Sequence, residues 1–205
     1  MNDNPTVFVV DDDPPVRDSL TLLLEQADIV VEAFDSAEGF LAVCRSMPRR
    51  SCAIVDIRMP GMDGMQLQAE LSRRGVLLPL IFLTGHGDIP LSVRAIKAGA
   101  IDFLTKPVTG AALLESVKTA LRESERLSVQ AAANHTATTR VASLTERERE
   151  VMALAVGGLP NKEIARRLGI SHRTVEIHKA RIMHKTGADT LLDLARIAEA
   201  SGLSH

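Results

Sequence analysis

The sequence predicts an α/β chain in two parts. The first is a (βα)5 doubly wound parallel-sheet domain. The second is a small all-α domain of four helices that contains a helix-turn-helix. Three observations predict this. Five short apolar runs, several rich in β-branched residues, alternate with longer amphipathic stretches up to about residue 124. That is the pattern of strand–helix units whose sheet is covered on both faces. Beyond that point the periodicity is helical only. The charge divides at the same place: residues 1–125 carry 12 Lys+Arg against 18 Asp+Glu, and residues 126–205 carry 12 against 8. The overall −2 is therefore the sum of −6 and +4, and such an asymmetry marks two modules with different partners.

The strands are expected at Thr6–Val10, Val30–Phe34, Ala53–Val55, Leu80–Thr84 and Asp102–Leu104. Helical stripes lie between them. Leu20, Leu23, Leu24 and Ala27 follow Pro14-Pro15, residues suited to a first helical turn. Phe40, Leu41 and Val43 mark a second helix, and Leu67, Ala69 and Leu71 a third. Val93, Ile96 and Lys97 mark a fourth, and Leu113, Leu114, Val117 and Leu121 a fifth. This gives a domain over residues 1–124. Residues 125–141, rich in Ala, Ser and Thr with no sustained apolar period, read as the tail of the fifth helix followed by a linker.

Residues 142–205 form the last domain. Thr145 with Glu148 makes a capping box ahead of Val151, Leu154 and Ala155, and Gly157-Gly158 ends that helix. Asn161 can cap a second helix over Lys162–Leu168, with Gly169 as the turn. Ser171 can cap a third helix running to about Lys185, which Gly187 ends. Thr190–Ala200 makes the fourth.

Several classes are excluded or disfavoured. No apolar run approaches a membrane span of about 18 residues. MNDNPTVFVV shows neither the basic region nor the cleavage site of a secretory signal, so a cytoplasmic protein is expected. Cys44 and Cys52 are too few for a disulfide framework or a zinc site and read as buried thiols. There is no Trp or Tyr, and all five Phe lie in the first 125 residues. The basic module therefore lacks the aromatic platforms on which single strands and RNA bases stack.

The acids fall where a doubly wound sheet binds its ligand. Asp11, Asp12 and Asp13 follow the first strand, Asp56 ends the third, Thr84 ends the fourth and Lys106 follows the fifth. With strand order 2-1-3-4-5, strands one and three flank the switch point, so Asp11, Asp12 and Asp56 converge. Converging carboxylates call for a hard cation such as Mg2+, which is suited to carboxylates, waters and a phosphate oxygen. Lys106 supplies a second positive charge and Thr84 a hydroxyl, and the product would be an acyl phosphate on Asp. The plainer alternative is a set of loop acids, helix caps and a surface lysine. Asp63 reads as a cap of the third helix, His86 and Asp88 as loop-shaping, and Gly61 and Gly64 as turn residues.

VVDDD at Val9–Asp13, VDIRMPGMDG at Val55–Gly64, LTGHGD at Leu83–Asp88 and Lys106-Pro107 resemble the receiver domain of bacterial response regulators. The resemblance implies that Asp56 is the phosphoacceptor. It also implies that Asp12, Asp56 and the Arg58 backbone carbonyl hold Mg2+ or Mn2+, with Asp11 in the same acidic cluster. Thr84 and Lys106 would bind the phosphoryl group as switch residues, and Phe103 would be the rotating aromatic. A cis Lys106-Pro107 bond is implied as well. Asp13 is not assigned to the metal.

Seven Lys/Arg lie between Pro160 and Lys185 against two Glu, over an apolar underside of Ile164, Ala165, Leu168, Val175 and Ile182. A helix of this kind reads base edges with its N-terminal residues while Lys and Arg hold phosphates. Residues 142–200 resemble the LuxR-type helix-turn-helix shared by NarL and FixJ. By that resemblance Glu176, Ile177 and Ala180 face base edges. Lys162, Arg173 and Thr174 then join His178, Lys179, Arg181 and Lys185 among the DNA-binding candidates. His172, His178 and His184 recur every six residues, which does not place them on one face, so no metal site is expected there.

Together the chain resembles a two-component response regulator closest to the FixJ subfamily, a match carried by GHGDIP and VRAIKAGAIDFLTKP. That implies a FixL-like sensor histidine kinase, duplex DNA promoter sites, contact with RNA polymerase and control of nitrogen-fixation or oxygen-responsive genes. It also implies a homodimer formed on phosphorylation through the fourth helix and fifth strand, and no membrane partner. The chain is then a phosphoacceptor and not a dedicated enzyme. Two rival readings are a Mg-dependent phosphohydrolase and a phosphorylation-independent DNA-binding protein.

Overall fold

The computed structural model describes residues 4–44, 48, 50–85 and 89–203. His86 and Asp88 lie outside them. The first elements are β1 (Thr6–Val10), α1 (Pro14–Glu25), β2 (Val30–Phe34), α2 (Ala37–Val43) and β3 (Ser51–Asp56). Then come α3 (Gly64–Arg73), β4 (Leu80–Thr84), α4 (Ile89–Lys97), β5 (Asp102–Thr105) and α5 (Gly110–Ala142). The helices α6 (Glu146–Val156), α7 (Asn161–Leu168), α8 (His172–Thr186) and α9 (Leu191–Ser201) follow. Among the described residues the strands form one parallel sheet in the order β2-β1-β3-β4-β5.

Side chains alternate across the sheet with a period of two. Phe8 and Val10 of β1, with Val55 and Phe82, pack under α2, α3 and α4 against Phe40, Leu67 and Leu71. Val7 and Val9, with Ile54, Ile81 and Leu83, pack on the other face against Leu20 and Leu24 of α1 and Leu113 and Val117 of α5. Each fully buried Leu, Ile or Phe contributes about 1.5–3 kcal/mol. Expected burial on both faces fails at the sheet edges. β2 is largely exposed and β5 only half-buried, because each pairs on one side alone. Cys44 and Cys52 are both buried, and burial pushes the Cys52 thiol up to about 12.

The capping signals place the helix starts. Asp63 and Gln66 form a capping box on α3, Thr145 and Glu148 one on α6, and Ser171 accepts from the Thr174 N–H on α8. Gly169 and Gly187 end α7 and α8 in left-handed conformations, at φ 65° and 66°. The Lys106-Pro107 bond is cis. Asn161 is not a cap: Pro160 holds that position, and the Asn161 side chain instead accepts from Lys179.

The expected linker is helical. α5 continues unbroken to Ala142. No Gly or Pro interrupts residues 111–142, and alanine has the lowest helical cost of any residue. The hydroxyls of Thr136, Thr138 and Thr139 bond to backbone carbonyls four residues back, contacts that helical geometry itself provides. The chain divides into two compact units at Ser128/Val129, within this helix. Among the described residues no helix is long and apolar enough to cross a membrane.

Candidate functional site

The register of β1 on β3 pairs Val10 with Val55, so the next residues, Asp11 and Asp56, emerge side by side at the strand ends. Carboxylate oxygens of Asp11, Asp12 and Asp56 lie within 4.8 Å of one another. Asp11 and Asp56 are buried and Asp12 is exposed. Lys106 Nζ spans the two buried acids, donating to Asp11 Oδ2 at 2.6 Å and to Asp56 Oδ2 at 3.1 Å. Burial alone would lower the Lys106 pKa, but its bonds to Asp11 and then Asp56 outweigh that and hold it above the usual lysine value. One lysine cannot neutralise three acids. The remaining negative charge and oxygen donors make the triad fit a divalent cation.

The expected site residues fall around this pocket. Thr84, 1% exposed, ends β4, and its carbonyl accepts from the Lys106 N–H at 2.8 Å. The Arg58 N–H reaches Asp56 Oδ1 at 3.4 Å. Phe103 pairs in register with Phe82 and is half-buried against the α2–α3–α4 side. Asp13 flanks α1 and makes no side-chain cap bond.

Two contributors carried no signal in the sequence, and a third, Gly64, expected as a turn residue, instead opens α3. Arg17 Nη1 donates to the Asp11 carbonyl at 2.6 Å and secures the β1–α1 loop. Glu38 of α2 accepts from the Met62 N–H at 3.0 Å and secures the loop after Asp56. A Cβ at Gly64 would lie 2.5 Å from the Asp56 carbonyl oxygen, so α3 can start this close to the site only with glycine there.

In the second unit Val151, Met152, Ile164, Val175, Ile182 and Leu194 build the core. The outward face of α8 carries Arg173, Glu176, Ile177, Ala180 and Arg181, at the three- and four-residue spacing of one helical face. Ile177 is 41% exposed, an apolar side chain suited to a thymine methyl. Glu176 lies 3.4 Å from Arg173 and 3.6 Å from His172. Lys162 is exposed on α7, while Thr174 and His178 are half-buried. Two candidate lysines are engaged within the domain: Lys179 donates to Asn161 at 3.0 Å and Lys185 to Glu148 at 2.7 Å.

A switch-point pocket of acids and one lysine, joined to a helix-turn-helix, defines the class: a response regulator with a DNA-binding output. Residues 7–118 match the response regulator receiver domain, and residues 142–198 match the luxR family of bacterial regulatory proteins. The transcriptional regulatory protein FixJ of Azorhizobium caulinodans is 43% identical over 204 residues, covering 100% of this chain and 96% of that protein. The C4-dicarboxylate transport transcriptional regulatory protein DctR of Rhodobacter capsulatus is 43% identical over 194 residues, covering 94% and 98%. The structure of the response regulator StyR gives a TM-score of 0.78 at 41% identity, covering 96% of this chain and 98% of that one. The chain belongs to the FixJ/NarL family of response regulators, phosphorylation-activated transcription factors. Its receiver implies a sensor histidine kinase and its LuxR-type domain implies DNA binding. The family is not one of dedicated enzymes, which removes the phosphohydrolase reading.

Proposed function

We propose that a FixL-like sensor histidine kinase phosphorylates Asp56 in the cytoplasm, and that the phosphorylated protein controls nitrogen-fixation or oxygen-responsive promoters. The observation that carries the phosphotransfer reading is Lys106 spanning Asp11 and Asp56 beside Asp12. Asp12, Asp56 and the Arg58 carbonyl would hold Mg2+ or Mn2+. When bound, the ion offsets the charge on the phosphoryl oxygens. Asp56 forms the new O–P bond as the bond to the phosphohistidine nitrogen breaks. Lys106 directs its charge at the phosphoryl group, Thr84 donates its hydroxyl, and Phe103 turns inward.

The output is a receiver dimer through α4 and β5. Ile89, Val93 and Ile96 support it, an exposed apolar stripe on one face of α4 at 80%, 45% and 46% exposure. A two-fold dimer sets recognition helices roughly 34 Å apart, one turn of DNA. Glu176, Ile177 and Ala180 meet base edges there, with Lys162, Arg173, Thr174 and Arg181 on phosphates. RNA polymerase is the partner at the promoter. The FixJ likeness, over the full chain, supports the target genes.

Incubation with acetyl phosphate and Mg2+ tests the chemistry. One phosphoryl adduct on the peptide carrying Asp56, absent from Asp56→Asn and abolished by EDTA, is expected. An adduct elsewhere, or one indifferent to EDTA, refutes it. Promoter occupancy mapped in cells at low and at ambient oxygen tests the targets.

A further inference from the structure

We infer that the first turn of α6 is a two-point clamp that positions the recognition helix, and that Lys185 serves this clamp and not the DNA phosphates. The inference rests on the DNA-binding reading and specifies how that surface is held.

Among the described residues of the second unit Glu148 is the buried acid, 3% exposed. Its Oε2 accepts from the Thr145 N–H at 2.9 Å and from Lys185 Nζ at 2.7 Å. The Lys185 bond, ahead of the Thr145 N–H, holds the Glu148 carboxyl below its ordinary range, so it is charged at neutral pH. Parting a buried carboxylate from its charged partner is costly, so the pair holds the last turn of α8 against α6. The neighbouring residue does the same for α7. Arg147 Nη2 donates to the carbonyl of Leu168, the last residue of α7, just before the Gly169 turn. Adjacent residues on one helical turn therefore grip the C-terminal ends of both helices of the helix-turn-helix. Lys179, reaching Asn161 at 3.0 Å, ties the middle of α8 to the start of α7. The outward row from Arg173 to Arg181 is left to meet DNA at an angle set by these ties.

Each phosphate contact contributes roughly 0.9 to the slope of log affinity against log salt. A lysine that serves the clamp contributes nothing to that slope. The test uses the full-length protein with Mg2+ and beryllofluoride. The probes are a duplex selected from random sequence by the wild type and a scrambled duplex of equal composition. Glu148→Gln/Lys185→Gln removes both charges and leaves no lone buried ion. The expected result is an unchanged salt slope and a loss of about tenfold in affinity for the selected duplex alone. A slope reduced by about 0.9, with equal losses on both duplexes, makes Lys185 a phosphate ligand and overturns the inference. Unchanged affinity for both duplexes overturns the positioning role. Amine labelling of the wild type gives a readout independent of how the variant folds. Lys185 should be equally reactive with and without DNA, whereas new protection on DNA binding contradicts the inference. A wild type that shows no salt-dependent duplex binding refutes the DNA-binding reading itself, and the inference falls with it.

Discussion

Gly64→Ala probes the packing behind the phosphoacceptor. Gly64 opens α3, and its N–H donates to the Ile57 carbonyl at 3.0 Å. An alanine Cβ would stand 2.5 Å from the Asp56 carbonyl oxygen, 3.0 Å from Ile57 Cα and 3.1 Å from the Phe82 ring. The first two are backbone atoms, so no change of rotamer relieves them. Comfortable contact begins at about 3.5 Å, so the helix must retreat by about 1 Å. Overpacking of this size costs about 2 kcal/mol, within the usual 1–3. For a domain of this length that lowers the melting temperature by roughly 8 °C. The same shift moves Asp56 relative to Lys106, and a misplacement of about 1 Å slows a reaction by roughly 10- to 100-fold. Differential scanning calorimetry and the rate of labelling by acetyl phosphate measure the two effects. A melting temperature within a degree of wild type, with an unchanged labelling rate, would refute the reasoning.

Further outcomes follow from the charges and thiols. The Lys106 pKa is raised on folding, so its contribution to stability is complete below its unfolded value of 10.5 and is lost as pH rises through the higher folded value. Denaturation above about pH 10.5 should therefore weaken the wild type more than Lys106→Met, and parallel curves would contradict this. Arg73 and then Arg74 hold the Glu70 carboxyl at about 2, so NMR should find its midpoint there and find it rising toward 4.5 in Arg73→Ala/Arg74→Ala. A midpoint near 4.5 in the wild type would remove that pair. Neither buried thiol should react with a disulfide reagent at pH 8 until the protein is unfolded, and prompt labelling of Cys52 in the native state would contradict its burial.

Local chemistry made most of the fold legible. The apolar run of β1, the caps at Asp63 and Thr145 and the glycines at 169 and 187 are signals within a few residues. The acid pocket was legible because strand ends carry it, and the β1–β3 register brings Asp11 and Asp56 together. What escaped depends on long-range partners. Lys185 and Glu148 are 37 residues apart, and helical spacing alone puts Lys185 with the other cations of α8. Arg17 and Glu38 act through backbone groups, which leave no pattern in side-chain identity. A helical tail was legible but its full length was not: a linker is expected after it because Ala, Ser and Thr give no apolar period, although no Gly or Pro in residues 125–141 stops a helix.

The central claim is that a phosphoryl group on Asp56 governs DNA binding. Titration of a promoter duplex with the full-length protein, with and without beryllofluoride and Mg2+, tests it most directly. The wild type should bind at least tenfold more tightly with both present, and Asp56→Asn should not respond. Equal affinity in all four arms would contradict the account.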